Sequence, residues 1–459
     1  GAGKSTLMKV LSGAIIPDAG QMSLYGKQYK PSNPLEARLA GVAMIYQELS
    51  LAPHLNACQN IFLGMEPRKG WLLDRKKMRF GAEEACKEMM HELPLDVPVG
   101  AMSISDRQIV EIARACAIGC KVLILDEPTS SLTRHDVERL FQLIRRVRDK
   151  GYSVVYISHF LEEIAEIADR FTVLRDGRTV SSGDVKSVRS EEIITQMIGR
   201  ELKNLYPRSL HAAGEEVLKV EGIGGGKVKA ASLDLRKGEV VGIAGLVGSG
   251  RTEFLRAIFG LDQIVRGKVQ IGYFAGPLSP AASWNNGMGM VSEDRKGEGL
   301  AIGLSIGDNI ILSHPLACEK NGLMLPRLKK EAARSLVDKL RIRCAGPDQA
   351  VKELSGGNQQ KVALARLLHH GVTVFILDEP TRGIDVASKS EIYKLIDELA
   401  ARGCAVLMVS SYLPELLGVC DRIAVMCRGV LSAALPASEW TEHGIMSAAT
   451  AGAAEAGGV

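Results

Sequence analysis

Ile124-Leu-Asp-Glu-Pro-Thr129 recurs 252 residues further along as Ile376-Leu-Asp-Glu-Pro-Thr381. The same offset aligns Met102-Ser103 with Leu354-Ser355 and Glu111-Ile-Ala-Arg114 with Ala363-Leu-Ala-Arg366, so one unit is present twice. In each copy an apolar strand runs into Asp-Glu-Pro, a helical pattern follows, and a second apolar strand comes next, Ser153 to Ser158 or Ala405 to Ser410. Strand and helix alternating in this way predict α/β layers. Val137, Leu140, Phe141, Ile144 and Val147 fall on one helical face, as do Ile392, Leu395, Ile396 and Leu399, and both stripes read as core.

The repeat divides the chain into a first domain over 1–200, a short linker over 201–215 where the pattern lapses into Tyr206-Pro207-Arg208, and a second domain over 216–440. The Ala- and Gly-rich remainder, 441–459, is expected to be disordered. With 57 basic and 53 acidic residues the formal charge is +4, which lacks the global basicity of a dedicated nucleic-acid binder. Nine irregularly spaced cysteines read as reduced thiols rather than a disulfide framework, and Cys116 and Cys120 as core. No apolar run reaches the eighteen or so residues of a membrane-spanning helix, so direct membrane insertion is not expected.

Gly1-Ala2-Gly3-Lys4-Ser5-Thr6 is the second half of a GxxxxGK[ST] phosphate loop, in which backbone N–H groups and a helix N-terminus cradle phosphates. Lys4 would balance β/γ charge, and Ser5 would offer a hydroxyl to Mg²⁺, a cation that prefers oxygen ligands. Val122 to Leu125 delivers Asp126 to the sheet edge as a second Mg²⁺ ligand, and Glu127 is placed to orient and deprotonate an attacking water. Leu354-Ser355-Gly356-Gly357-Asn-Gln-Gln360 supplies a further anion site, with a serine hydroxyl and glycine amides at a helix N-terminus.

That last motif resembles the signature of ABC ATPases and separates them from other phosphate-loop enzymes. The resemblance implies two tandem ABC-type domains, each with a RecA-like core, an antiparallel β subdomain and a helical signature subdomain. It further implies that ATP with Mg²⁺ is the cofactor, that Gln47 in Ile45-Tyr-Gln-Glu48 is the Q-loop residue and a metal contact, and that His159 in Ile157-Ser-His159 is the switch histidine. With Glu127, these two form the catalytic group.

The second copy departs from this pattern. Gly245-Leu-Val-Gly248-Ser-Gly250-Arg251-Thr252 keeps both glycines but has Arg251 in place of lysine, and Arg and Lys are not interchangeable there. Its Asp378 and Glu379 survive, whereas Glu293 takes the Q-loop place and Ser411 the histidine place. In the first copy, Ser103-Ile-Ser-Asp106-Arg-Gln108 lacks the signature glycines, and Asp106 would repel phosphate. ABC dimers pack head to tail, so the resemblance gathers the intact parts into one site (Lys4, Ser5, Gln47, Asp126, Glu127, His159 with Ser355, Gly356, Gly357) and the eroded parts into the other. The first is expected to hydrolyse ATP and the second mainly to bind it.

Asn60-Ile-Phe-Leu-Gly64, Gly242-Ile-Ala-Gly-Leu-Val-Gly-Ser-Gly-Arg-Thr252 and Ser292-Glu-Asp-Arg-Lys296 narrow the resemblance to the ATP-binding subunits of bacterial carbohydrate importers of the ribose, galactose, xylose and arabinose type. This implies a peripheral place on the cytoplasmic face of the inner membrane, a pair of permease subunits as partners, and an extracytoplasmic solute-binding protein reached through them. Soluble tandem ATPases of ribosomes or nucleic acid are a rival class, set apart by long charged linkers or clustered cysteines. Because the phosphate loop begins at its fourth residue, the chain reads as N-terminally truncated; an inactive remnant is the other reading of that start.

Overall fold

The computed structural model describes residues 3–46, 49–129, 132, 134–158, 160–175, 177–188, 190–198, 206–209, 211–276 and 279–450. The chain divides into two compact units, Gly1–Glu201 and Leu202–Val459.

In the first unit, strands Val42–Ile45, Val122–Asp126 and Ser153–Ile157 form a parallel sheet with Val122–Asp126 in the middle. Parallel strands need cover on both faces, and the sequence meets this with apolar runs whose Leu123, Ile124 and Leu125 are almost wholly buried. Each such side chain contributes about 1.5–3 kcal/mol of hydrophobic stabilisation. Helices Ala57–Phe62, Arg75–Met89 and Ile104–Ala117 pack together beside this sheet through Ile61, Met89 and Val110. Helix Arg134–Asp149 covers it with Leu140, Phe141, Ile144 and Val147, the face that the 3.6-residue period picks out.

The second unit shows the architecture more fully. Parallel strands Arg422–Cys427, Val240–Gly245, Ala405–Val409, Val374–Asp378 and Met288–Val291 lie in that order, and the same sheet continues into antiparallel Val228–Arg236, Glu216–Gly225 and Arg266–Ile271. Helices Ile306–Ile311, Pro326–Lys339 and Gly356–His370 form the helical portion. In both units the central parallel strands end at the Asp-Glu pair, at the carboxyl edge where α/β sheets bind ligands.

One expectation, about the end of the chain, is corrected. Residues 441–459 are not disordered throughout: Glu442–Thr450 is a helix whose Ile445 and Ala449 enter the second unit's core. Alanine is the strongest helix former, and an apolar pair four residues apart gives the helix a buried face. Residues 451–459 lie outside the described ones. Within the expected linker, Ser209 donates from its N–H and hydroxyl to Asp397 (2.7 and 2.6 Å), and the Tyr206 ring packs on Tyr393, so this stretch is held by the second unit. All nine cysteines are free thiols, and burial pushes Cys116 and Cys120 up to about 11. Among the described residues no helix is long and apolar enough to cross a membrane.

Candidate nucleotide sites

Each phosphate loop enters its helix through a glycine with positive φ: Gly3 (85°) before Lys4–Leu11, and Gly250 (106°), preceded by Gly248 (80°), before Arg251–Phe259. Neither helix has a side-chain cap, so its first N–H groups remain available to an anion. Gly1, Ala2, Gln47 and His159 lie outside the described residues.

At the first site Asp126 is buried at the end of its strand, with the Ser5 hydroxyl near it. Burial and the neighbouring Glu127 raise its pKa, while Ser5, Lys4 and Lys9 oppose the shift. Thr252 faces Asp378 in the same way; burial pushes Asp378 up to about 6, and neither of its buried carboxylate oxygens has a fully formed hydrogen bond. A buried acid short of partners beside a hydroxyl is a donor set that fits a hard cation.

Glu127 and Glu379 share an unusual backbone, with φ of 46° and 48°. Left-handed backbone at a non-glycine residue costs about 1–2 kcal/mol, and both copies keep it. Glu127 N–H donates to Ile157 O (3.0 Å) and Glu379 N–H to Val409 O (2.9 Å), which fixes each turn against the next strand.

In the second copy, buried polar groups hold the glutamate. Arg251, in the place of the loop's lysine, reaches residues at the ends of two neighbouring strands. One guanidinium nitrogen donates to Ser410 O (2.9 Å) and another pairs with Glu379 (3.5 Å), both residues being buried. The Ser411 hydroxyl donates to the other Glu379 oxygen (3.1 Å). Burial raises the Glu379 pKa and Arg251 draws it back. Arginine can reach this far because its fork is longer and planar. Arg382 also pairs with Glu293, the residue in the Q-loop place.

The signature turns diverge. Ser103 caps helix Ile104–Ala117, and its hydroxyl donates to Asp106 (2.7 Å), so that proton is committed. Ser355 instead accepts from the Asn358 amide (2.9 Å), and its own proton stays available. At Gly357 an added Cβ would lie 2.4 Å from the Ser388 hydroxyl, so the turn accepts only glycine. The Gly356 carbonyl accepts from Arg295 (2.9 Å).

Several positioning residues escaped the motif reading. Buried Asn60 accepts from Ala52 N–H (2.8 Å), and Glu111 accepts from Ser50 N–H (3.0 Å), tying down the segment that follows Gln47. Glu415 is fully buried and accepts from Thr381 and Ser410, the residues flanking Glu379 and Ser411. Glu163 likewise accepts from Ser158 (2.6 Å), next to His159. Glu163 and Glu415 stand 252 residues apart, so extending the repeat alignment past the motifs finds that pair, whereas Asn60 and Glu111 fall opposite Leu312 and Ala363.

Fold and sites together define a phosphate-loop nucleotide-binding protein with two cassettes in one chain. The family model for ABC transporters matches residues 1–130 and 228–382. A ribose import ATP-binding protein of Streptomyces avermitilis is 45% identical, covering 98% of this chain and 86% of that one. A putative ribose/galactose/methyl galactoside import ATP-binding protein of Agrobacterium fabrum is 44% identical over 97% of this chain and 89% of its own. A ribose import ATP-binding protein of Bacillus subtilis is 41% identical over 98% and 92%. The chain belongs to the ABC transporter family, as an ATP-binding subunit and an ATPase by class. Among solved structures, a nucleotide-free ATP-binding cassette from an ABC transporter aligns with TM-score 0.42 at 23% identity, over 48% of this chain and 91% of that one.

Proposed function

We propose that this chain hydrolyses ATP to drive sugar import through a partner permease, and that its first phosphate loop holds the nucleotide that is turned over. The names of its relatives, all ribose or galactose importers, support the sugar class. In this reading the free N–H groups beyond Gly3 and the Lys4 ammonium bind the β- and γ-phosphates. Ser5, Asp126 and Gln47 hold Mg²⁺, which when bound neutralises charge developing on the phosphates. Glu127 takes the proton of the attacking water, and His159 contacts the γ-phosphate. Ser355, with an uncommitted hydroxyl proton, and the amides of Gly356 and Gly357 are the signature donors for a γ-phosphate.

The observation that carries the division of labour is the capture of Glu379 by Arg251. A carboxylate paired to a buried guanidinium is a poor base, and a guanidinium spent on a carboxylate is a poor phosphate ligand. Gly248, Gly250, Thr252 and Asp378 remain to bind nucleotide with little turnover. The partners in this reading are permease subunits, with a solute-binding protein beyond them, at the cytoplasmic face of the membrane.

The test is uptake of labelled ribose and galactose into proteoliposomes containing the permease, its binding protein and this subunit. ATP-dependent accumulation that Lys4→Ala abolishes is the expected result. Failure to drive uptake of any sugar, with ATP turnover stimulated by ribosomes instead, rejects the reading.

A further inference from the structure

Between the first unit's short helix Ala57–Phe62 and helix Arg75–Met89 lies a two-residue-strand hairpin, Arg68–Lys69 paired with Leu72–Leu73. At its tip Trp71 is 89% exposed, and Leu72, Leu73 and, on the following helix, Phe80 are each more than half exposed. A tryptophan and three large apolar side chains exposed along one hairpin and the helix after it are unusual for a surface that only faces water.

The charges around them are as unusual. Arg68, Lys69, Arg75, Lys76 and Lys77 are exposed and make no ion pair among the described residues. Three of them occupy the first turn of helix Arg75–Met89, with no acidic residue there. That is the end where the helix dipole disfavours cations; the Asp74 carboxylate caps it, accepting from Lys77 N–H (3.0 Å), so three cations stand against one acid there. A shallow depression lined by Arg75, Lys76, Arg79, Phe80 and Glu83 lies beside the hairpin.

The second unit provides an internal control. It has a matching hairpin, Glu319–Lys320 with Leu323–Met324, leading into helix Pro326–Lys339. There the early cations are paired one by one, Arg327 with Glu331, Lys329 with Asp308 and Lys330 with Asp348, and no aromatic residue stands at the tip. The fold therefore requires neither the tryptophan nor the unpaired cations.

We propose that the first unit's hairpin and helix start form a peripheral contact with an anionic phospholipid surface. Trp71 and Leu72 sit at headgroup level, and Arg68, Lys69, Arg75, Lys76 and Lys77 face lipid phosphates. Indole rings and long-stemmed cations are the chemistry of that zone, and the contact needs no spanning helix. It is independent of the transport reading above.

The test is co-sedimentation of the whole chain with phosphatidylglycerol/phosphatidylethanolamine vesicles, set against phosphatidylcholine vesicles. Binding to the anionic vesicles that declines as salt is raised is expected, with a blue shift of tryptophan emission that Trp71→Ala removes. The triple variant Arg75→Gln/Lys76→Gln/Lys77→Gln should partition roughly a hundredfold more weakly, at about fivefold per cation, with an unchanged thermal melt. Equal binding by the triple variant and the parent, or no binding to anionic vesicles, overturns the proposal. So does binding only when the vesicles contain permease, which makes the patch a protein contact.

Discussion

Replacing Arg251 with methionine roughly keeps the length of the side chain and removes its charge, leaving Glu379 buried beside Ser411 without its paired guanidinium, Lys389 being the remaining cation that acts on it. Breaking a buried ion pair from one side costs about 3–5 kcal/mol. Glu379 can limit that loss by taking a proton, and its pKa already lies above the ordinary value because of burial. Without Arg251 it rises further. The sign follows from proton counting: between the unfolded and folded pKa values the folded state holds a proton that the unfolded state has released, so stability falls as pH rises across that window. At pH 8 the second unit of the variant should therefore lose the full 3–5 kcal/mol. At pH 5 it should lose about 1–2 kcal/mol, for the hydrogen bond to Ser410 and repacking. At about 2–4 °C per kcal/mol for a unit of this size, the pH 8 loss is roughly 6–20 °C in the calorimetric transition. In a Glu379→Gln background the same replacement should cost only the smaller amount, at either pH. Equal losses at both pH values with native Glu379, or no relief from Glu379→Gln, would refute the inference that Arg251 is engaged with the glutamate.

Glu415 is pushed up to about 7 by burial, so the native protein should lose stability as pH rises from about 4.5 to about 7 and regain none above. Glu415→Gln should flatten that part of the urea-denaturation pH profile, and an unchanged slope would contradict the burial argument. Ser355→Ala should lower ATP turnover by roughly a hundred- to a thousandfold, the scale for losing one donor to developing charge. Ser103→Ala, whose hydroxyl already serves Asp106, should change turnover less than threefold in the same steady-state assay.

Much of this could be read from the sequence because phosphate chemistry is local. A glycine loop, a hydroxyl, and an acid at a strand end must fall in short fixed strings, and the repeat doubled each signal. What stayed hidden depends on contacts between distant positions. Arg251 reads as a weakened phosphate ligand, and only the coordinates show it turned to Glu379, 128 residues away in the chain. Glu415, Glu163 and Asn60 carry no motif because any buried polar side chain can anchor a loop if its partners are near. The helix at Glu442–Thr450 was masked by composition: alanine and glycine suggest a tail until Ile445 and Ala449 find a core.

On the proposed division of labour, the first cassette carries out hydrolysis while the second is restrained by its own arginine. That division is tested most directly by steady-state Mg²⁺-dependent ATP turnover of the subunit assembled with its permease, comparing Glu127→Gln with Glu379→Gln. Glu127→Gln is predicted to lower turnover by about 10²–10⁴, the range for removing a general base, and Glu379→Gln by no more than about threefold. Equal, severe losses in both variants, or full turnover in Glu127→Gln, would contradict the account.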